Sequence, residues 1–243
     1  VRLVGSEMCI RDRYKTRADS DFDKVRFVPN ALPQVALEEI DDSVSVLGSE
    51  VCDSVHWCSP IYINAMTGGS DAAKKVNASL ARVAAKNSVA MASGSLSAAL
   101  RDETLLSTFS VIRSENPHGF VMANVSAGTS ASDALRAVNM IHANALQVHL
   151  NAAQELVMQE GDRDFRNWLC NIESIVSACE ALSVPVIVKE TGCGISAKDV
   201  HRLKDVGVRT VDVSGRGGTN FVTIENARRN LGCLLYTSDA ADE

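Results

Sequence analysis

The stretch Gln147-Val148-His149-Leu150-Asn151-Ala152-Ala153-Gln154-Glu155 passes within a few residues from apolar to densely polar. An imidazole, two side-chain amides and a carboxylate gather at the end of a short apolar run, just before a segment of helical character. His149 and Asn151 are two apart, so they share one face of an extended chain. Where parallel strands alternate with helices, the carboxyl end of every strand opens on the ligand side. The cluster therefore suits proton transfer and polar substrate binding, while a polar loop capping a helix would have the same composition.

Other polar clusters stand at equivalent places. Ala65-Met66-Thr67-Gly68-Gly69 offers two glycines where backbone can approach a flat ligand. Ser93-Gly94-Ser95 and Asn124 end the next two apolar runs, and Lys189-Glu190-Thr191-Gly192 places a lysine after a later one. Each alone reads equally well as a turn, a cap or a solvated lysine. Ser214-Gly215-Arg216-Gly217-Gly218-Thr219 sets three glycines between hydroxyl residues, a composition whose amides can cup an anionic group. It lacks the Gly-Lys-Ser/Thr ending of a Walker loop and does not open the first helix as a Rossmann fingerprint does. Glu155 suits Mg²⁺, which takes few carboxylates and fills its sphere with water and phosphate oxygens; a first-turn acid facing the helix dipole is the plainer reading. His56, His118, His142 and His201 lack polar companions at matching spacing and read as surface or cap residues.

These clusters need elements to hold them. Apolar runs at 61–63, 89–91, 120–122, 145–148, 184–188 and 210–213 recur roughly every 25 to 40 residues, the rhythm of βα units. Between them, Ser70 is expected to cap a helix that packs Val76, Leu80, Val83 and Ala84 on the sheet. Ser132 or Asp133 is expected to open a second helix with Leu135, Val138 and Ile141 inward. Trp168, Leu169, Ile172, Ile175, Val176 and Cys179 mark a third. Ser196 and Asp199 read as a capping box, and Gly207 as the left-handed residue closing that helix. Ahead of these units, 27–33 reads as an extended lead-in, and 44–47 and 51–57 as short strands or a cover over one end. The fold class expected is α/β, a parallel sheet of about six βα units with right-handed crossovers. Pattern alone leaves barrel and open sheet undecided.

At 243 residues and 46% hydrophobic, the chain has material for one large core. A formal charge of −6 with no basic cluster speaks against a nucleic-acid or anionic-membrane surface. No run approaches the ~18 apolar residues of a membrane span. The seven cysteines show no Cys-x-x-Cys spacing and are expected to be buried thiols. Residues 1–13 and 231–243 match no neighbouring periodicity and resemble translated adapter sequence, which leaves 14–230 as the expected domain.

Ala-Met-Thr-Gly-Gly, His-Leu-Asn-Ala-Ala-Gln-Glu, Val-Lys-Glu-Thr-Gly and Ser-Gly-Arg-Gly-Gly-Thr, in this order, resemble the type 2 isopentenyl-diphosphate isomerase family over about 21–229. The resemblance implies a (β/α)8 TIM barrel, here truncated to about six units, holding FMN. It implies interconversion of isopentenyl and dimethylallyl diphosphate, an allylic proton shift in which reduced flavin is acid and base. Mg²⁺ and NADPH (or NADH) are the further cofactors implied. By motif, Ala65, Met66, Thr67, Ser95, Asn124, Lys189, Ser214 and Thr219 would contact FMN. His149, Asn151 and Gln154 would face the substrate, and Glu155 would bind the metal. The resemblance further implies a small-molecule isoprenyl diphosphate substrate and a homo-oligomer when full length; the composition, acidic charge and lack of a leader-like start make a cytoplasmic protein with no nucleic-acid or membrane partner the expectation.

Three departures stand out. The family's N-terminal Arg-Lys-x-x-His segment is absent, Leu96 and Ser97 replace the usual Gln-Arg after Ser95, and two further βα units are missing. The chain as written is therefore expected to be inactive and poorly soluble. An FMN-dependent 2-hydroxy acid oxidase is the competing enzyme reading, although the His149–Glu155 cluster has no role in it. A non-functional fragment is the third.

Overall fold

The computed structural model describes residues 26, 28–47, 55–159, 161–215 and 219–228, with backbone alone for 227 and 228. The adapter-like ends, 51–54 and the centre of the glycine loop (Arg216, Gly217, Gly218) lie outside the described residues. Residues 28–36 run exposed and without regular structure to a short 3-10 turn at Leu37–Glu39. Two three-residue strands, β1 (Val44–Val46) and β2 (Val55–Trp57), then pair antiparallel.

The body is a six-stranded parallel sheet of β3 (Tyr62–Ile63), β4 (Ala90–Ala92), β5 (Val121–Ser126), β6 (Ala145–Leu150), β7 (Val186–Glu190) and β8 (Thr210–Asp212). Each strand pairs with its neighbour in sequence. The crossovers carry α1 (Asp71–Asn87), α2 (Ser97–Arg101) with α3 (Ser107–Glu115), α4 (Ala131–Met140), α5 (Ala152–Val157) with α6 (Trp168–Glu180), and α7 (Ala197–Asp205); α8 (Phe221–Arg228) follows β8. The six expected units are all present. The sheet is curled: Tyr62 on one edge strand hydrogen-bonds Asp212 on the other. The result is an α/β half-barrel.

Alternation along the strands sorts two buried faces, as a sheet covered on both sides requires. Val121, Ala123, Val125, Leu146, Val148 and Val188 face outward into a core shared with the helices. Ala90, Ala92, Met122, Ala145 and Ile187 face inward, where Leu47 joins them and Val46, Val55 and Trp57 pack against them. Trp57 stacks near Phe120 and Tyr62, with ring centroids 5.7 and 5.9 Å away. The β1–β2 pair is thus both a pair of strands and a cover, plugging the interior beneath the site. At the same end, the Arg113 guanidinium donates to the carbonyls of Asn116, Gly119 and His142 and to Asn144 Oδ1. This ties the loops that precede β5 and β6 to one side chain.

Several local expectations need correction. Ser70 caps α1 as expected, accepting from the Ala73 amide. The buried stripe, however, is Ala73, Asn77, Ala81 and Ala84, and Val83 is 53% exposed. Ala84 is buried as expected and Leu80 packs against the core from partial burial, while small residues let α1 lie close to the sheet and to α3. The cap of α4 is Ser130 rather than Ser132 or Asp133, its hydroxyl accepting from the Asp133 amide. Val138 and Ile141 are buried there as expected, alongside Ala134 and Ala137. The cysteines do not behave as a buried set: Cys179 is buried while Cys58, Cys170 and Cys193 are exposed. By contrast, α6 buries Ile172, Ile175, Val176 and Cys179, and α7 is capped by Ser196 and ends before Gly207 with φ +92°.

Candidate active site

The carboxyl ends of the strands surround a cavity of about 790 Å³, within the ~300–1,000 Å³ usual for cofactor and ligand sites. The wall after β3 is set by close packing. Asn77, buried on α1, donates to the carbonyls of Thr67 and Thr108, and Thr108 Oγ accepts from the Gly69 amide. Gly94 lies so close that a Cβ there would sit 2.4 Å from the Thr67 carbonyl oxygen, and one on Gly68 would sit 1.9 Å from the Phe109 ring. These two glycines are required by contact. The arrangement brings Ala65 and Met66 to the cavity beside Ser95, whereas Thr67 stands behind the wall, its hydroxyl buried and unpaired.

On the next strands the inward residues form a connected chain. Asn124 Nδ2 donates to Gln147 Oε1 at 3.2 Å, and Asn124 Oδ1 lies 2.8 Å from His149 Nδ1. Because the Asn124 amide nitrogen is committed to Gln147, its oxygen accepts, and Nδ1 of His149 carries the proton. Nε2 is then the basic nitrogen. Burial, reinforced by the charge of Lys189, lowers the His149 pKa to about 4, so the ring is neutral near pH 7.

Lys189 is almost fully buried. Its ammonium donates to the Glu190 carbonyl at 2.9 Å and lies 3.4 Å from Asp212 Oδ2. Burial works to raise the Asp212 pKa, but bonds from Tyr62 and the Ser214 amide, with the Lys189 charge, hold it below the usual carboxylate range. Glu190 turns away from the cavity, its carboxylate accepting from the amides of Gly192, Cys193 and Gly194 at 2.6, 2.7 and 2.9 Å. That nest fixes the loop following Lys189.

After β6, Asn151 Nδ2 donates to Glu155 Oε1 at 2.7 Å, and the Asp162 amide donates to Glu155 Oε2 at 2.8 Å. Asn151 Oδ1 is buried without a partner. Among the described residues no group of three His, Cys, Asp or Glu side chains could hold a metal ion by itself. A magnesium ion here would rest on Glu155, with water and ligand oxygens completing its sphere.

Of the residues singled out by sequence, Ala65, Met66, Ser95, Asn124, His149, Asn151, Gln154, Glu155, Lys189, Ser214 and Thr219 all line this one cavity; Thr67 does not. Sequence reasoning passed over Tyr62, Asp212 and Glu190. For Asp212 the sequence offered only a charged residue inside the apolar run 210–213; its register with Lys189 comes from the sheet.

No family model matches the chain. It is 52% identical over 220 residues to an isopentenyl-diphosphate delta-isomerase of Latilactobacillus sakei subsp. sakei (strain 23K), covering 90% of this chain and 60% of that protein. It is 50% identical over 219 residues to the protein of the same name from Staphylococcus aureus (strain JH9), with the same coverage of both. This chain is a homologue of isopentenyl-diphosphate delta-isomerases. It spans about 60% of the length of these isomerase relatives. Among solved structures, a mandelate oxidase with (S)-mandelic acid is 14% identical, with a TM-score of 0.33 over 85% of this chain and 80% of that one, too distant a likeness to bear on chemistry. Among the described residues no helix is long and apolar enough to cross a membrane.

Proposed function

We propose that this chain is the greater part of a type 2, FMN-dependent isopentenyl-diphosphate isomerase. The observation that carries the reading is the convergence of Asn124, His149, Gln154, Glu155 and Lys189 on one cavity, in a homologue of proteins named isopentenyl-diphosphate delta-isomerase. The donor set fits a flavin: backbone at Ala65 and Met66 for the flat ring system, the Asn124 amide and Lys189 ammonium for its polar edge, and Ser214 and Thr219 for its phosphate. When bound and reduced by NADPH, FMN would supply the acid–base chemistry of the allylic proton shift.

The protein's own residues then bind and orient. Lys189 places positive charge at the cavity floor. Neutral His149 and Asn151 present polar groups toward the substrate, and Gln154 positions its hydrocarbon end. Glu155 would hold Mg²⁺, whose charge would offset that of the diphosphate.

The test is ¹H NMR of isopentenyl diphosphate incubated with protein extended to the length of its relatives, FMN, NADPH and Mg²⁺, set against lactate under matched conditions. Dimethylallyl diphosphate as product supports the isomerase. Oxidation of lactate without isomerisation would support the 2-hydroxy acid oxidase instead.

A further inference from the structure

Four inward side chains stand level across neighbouring strands: Ser126 is in register with His149, His149 with Lys189, and Lys189 with Asp212. The last of these does three things. Asp212 Oδ2 faces the Lys189 ammonium and accepts from the Tyr62 hydroxyl, while Oδ1 accepts from the Ser214 amide at 2.9 Å. Tyr62 comes from β3 and Asp212 from β8, the two edges of the sheet. One carboxylate thus joins both edges, the cavity lysine and the turn that begins the glycine loop, where Ser214 has φ +54°.

We propose that Asp212 and Tyr62 are positioning residues that clamp the Lys189 ammonium at the cavity floor and moderate the charge it presents to the ligand. Lys189 has three N–H donors. One goes to the Glu190 carbonyl and one to Asp212, which leaves the third for a bound group. The Lys189 side chain is 7% exposed and that of Asp212 25% exposed, so water screens the pair poorly. Asp212 also partly cancels the lysine's positive charge. A ligand that gains negative charge on reduction therefore meets a weaker field than an unpaired ammonium would give.

The link to a flavin rests on the function proposed above; the clamp itself does not. Two measurements on the 243-residue chain separate them. In the ligand-free protein, the Lys189 ammonium should give a slowly exchanging ¹H–¹⁵N signal, lost in Asp212→Asn and broadened in Tyr62→Phe. At saturating FMN, Asp212→Asn should raise the preference for reduced over oxidised FMN by about fivefold or more, as removal of one nearby charge predicts. Tyr62→Phe should move it less. A role limited to holding the fold would lower the melting temperature and the affinity for both redox forms equally, leaving that preference unchanged. If Asp212→Asn fails to fold, Tyr62→Phe, which deletes one hydroxyl, carries both readouts. An unchanged lysine signal in a folded variant overturns the clamp. Failure of the parent to take up FMN overturns the flavin reading while the lysine signal still decides the clamp.

Discussion

His149 Nδ1 and Asn124 Oδ1 lie 2.8 Å apart across two neighbouring parallel strands, and that one contact sets which ring nitrogen is basic. Asn124→Leu removes the acceptor and should turn a single Nδ1–H tautomer into a mixture, read directly from ¹⁵N shifts of the imidazole. In protein extended to the length of its relatives, the same substitution should slow isomerisation by about one to two orders of magnitude, the usual cost of one misplaced polar group in a closed site.

The half-buried imidazole also makes stability depend on pH. Its folded pKa of about 4 lies below the ordinary value of 6.5, so the unfolded chain binds the proton more readily between those values. The stabilising contribution is full above pH 6.5 and is lost as pH falls toward 4. Urea midpoints measured across this range should decline by the equivalent of up to about 3 kcal/mol. His149→Gln should flatten that part of the profile.

Glu155 separates a metal role from a helix-cap role. Both of its carboxylate oxygens accept hydrogen bonds, from Asn151 and from the Asp162 amide, and a glutamine can still accept one of them. Glu155→Gln should leave the melting temperature nearly unchanged yet weaken the apparent Mg²⁺ affinity by about 10- to 100-fold in a magnesium titration of activity in the extended protein. An equal response to magnesium in both proteins would return Glu155 to the helix.

Gly94→Ala tests the wall of the cavity. The added methyl would meet the Thr67 carbonyl at 2.4 Å, a backbone atom that cannot turn aside. The cost should be about 1–3 kcal/mol, measured by chemical denaturation. Because the displaced segment carries Ala65 and Met66, FMN affinity should fall as well.

The βα rhythm could be read in advance because each unit is local: an apolar run, a polar turn and an amphipathic segment follow one another in sequence. Capping signals such as Ser70, Ser196 and Gly207 were readable for the same reason. The helix faces were less so. On α1 the sheet selects Ala73, Asn77, Ala81 and Ala84 over Val76 and Val83, since close approach rewards small side chains and an amide with backbone partners. Hydrophobicity alone ranks those residues the other way. At the site, residues announced by turn chemistry stood out, whereas Tyr62 and Asp212 did not. Their partnership spans 150 positions and exists because the sheet curls, which no local pattern encodes.

In the function proposed above, these strand ends face a flavin. Titration of FMN with the 243-residue chain, followed by flavin fluorescence, tests it most directly. Saturable quenching is expected, weakened by about tenfold or more in Lys189→Met through the loss of one charged hydrogen bond in a buried site. Absence of saturable quenching, or equal affinity in the folded Lys189→Met protein, would contradict it.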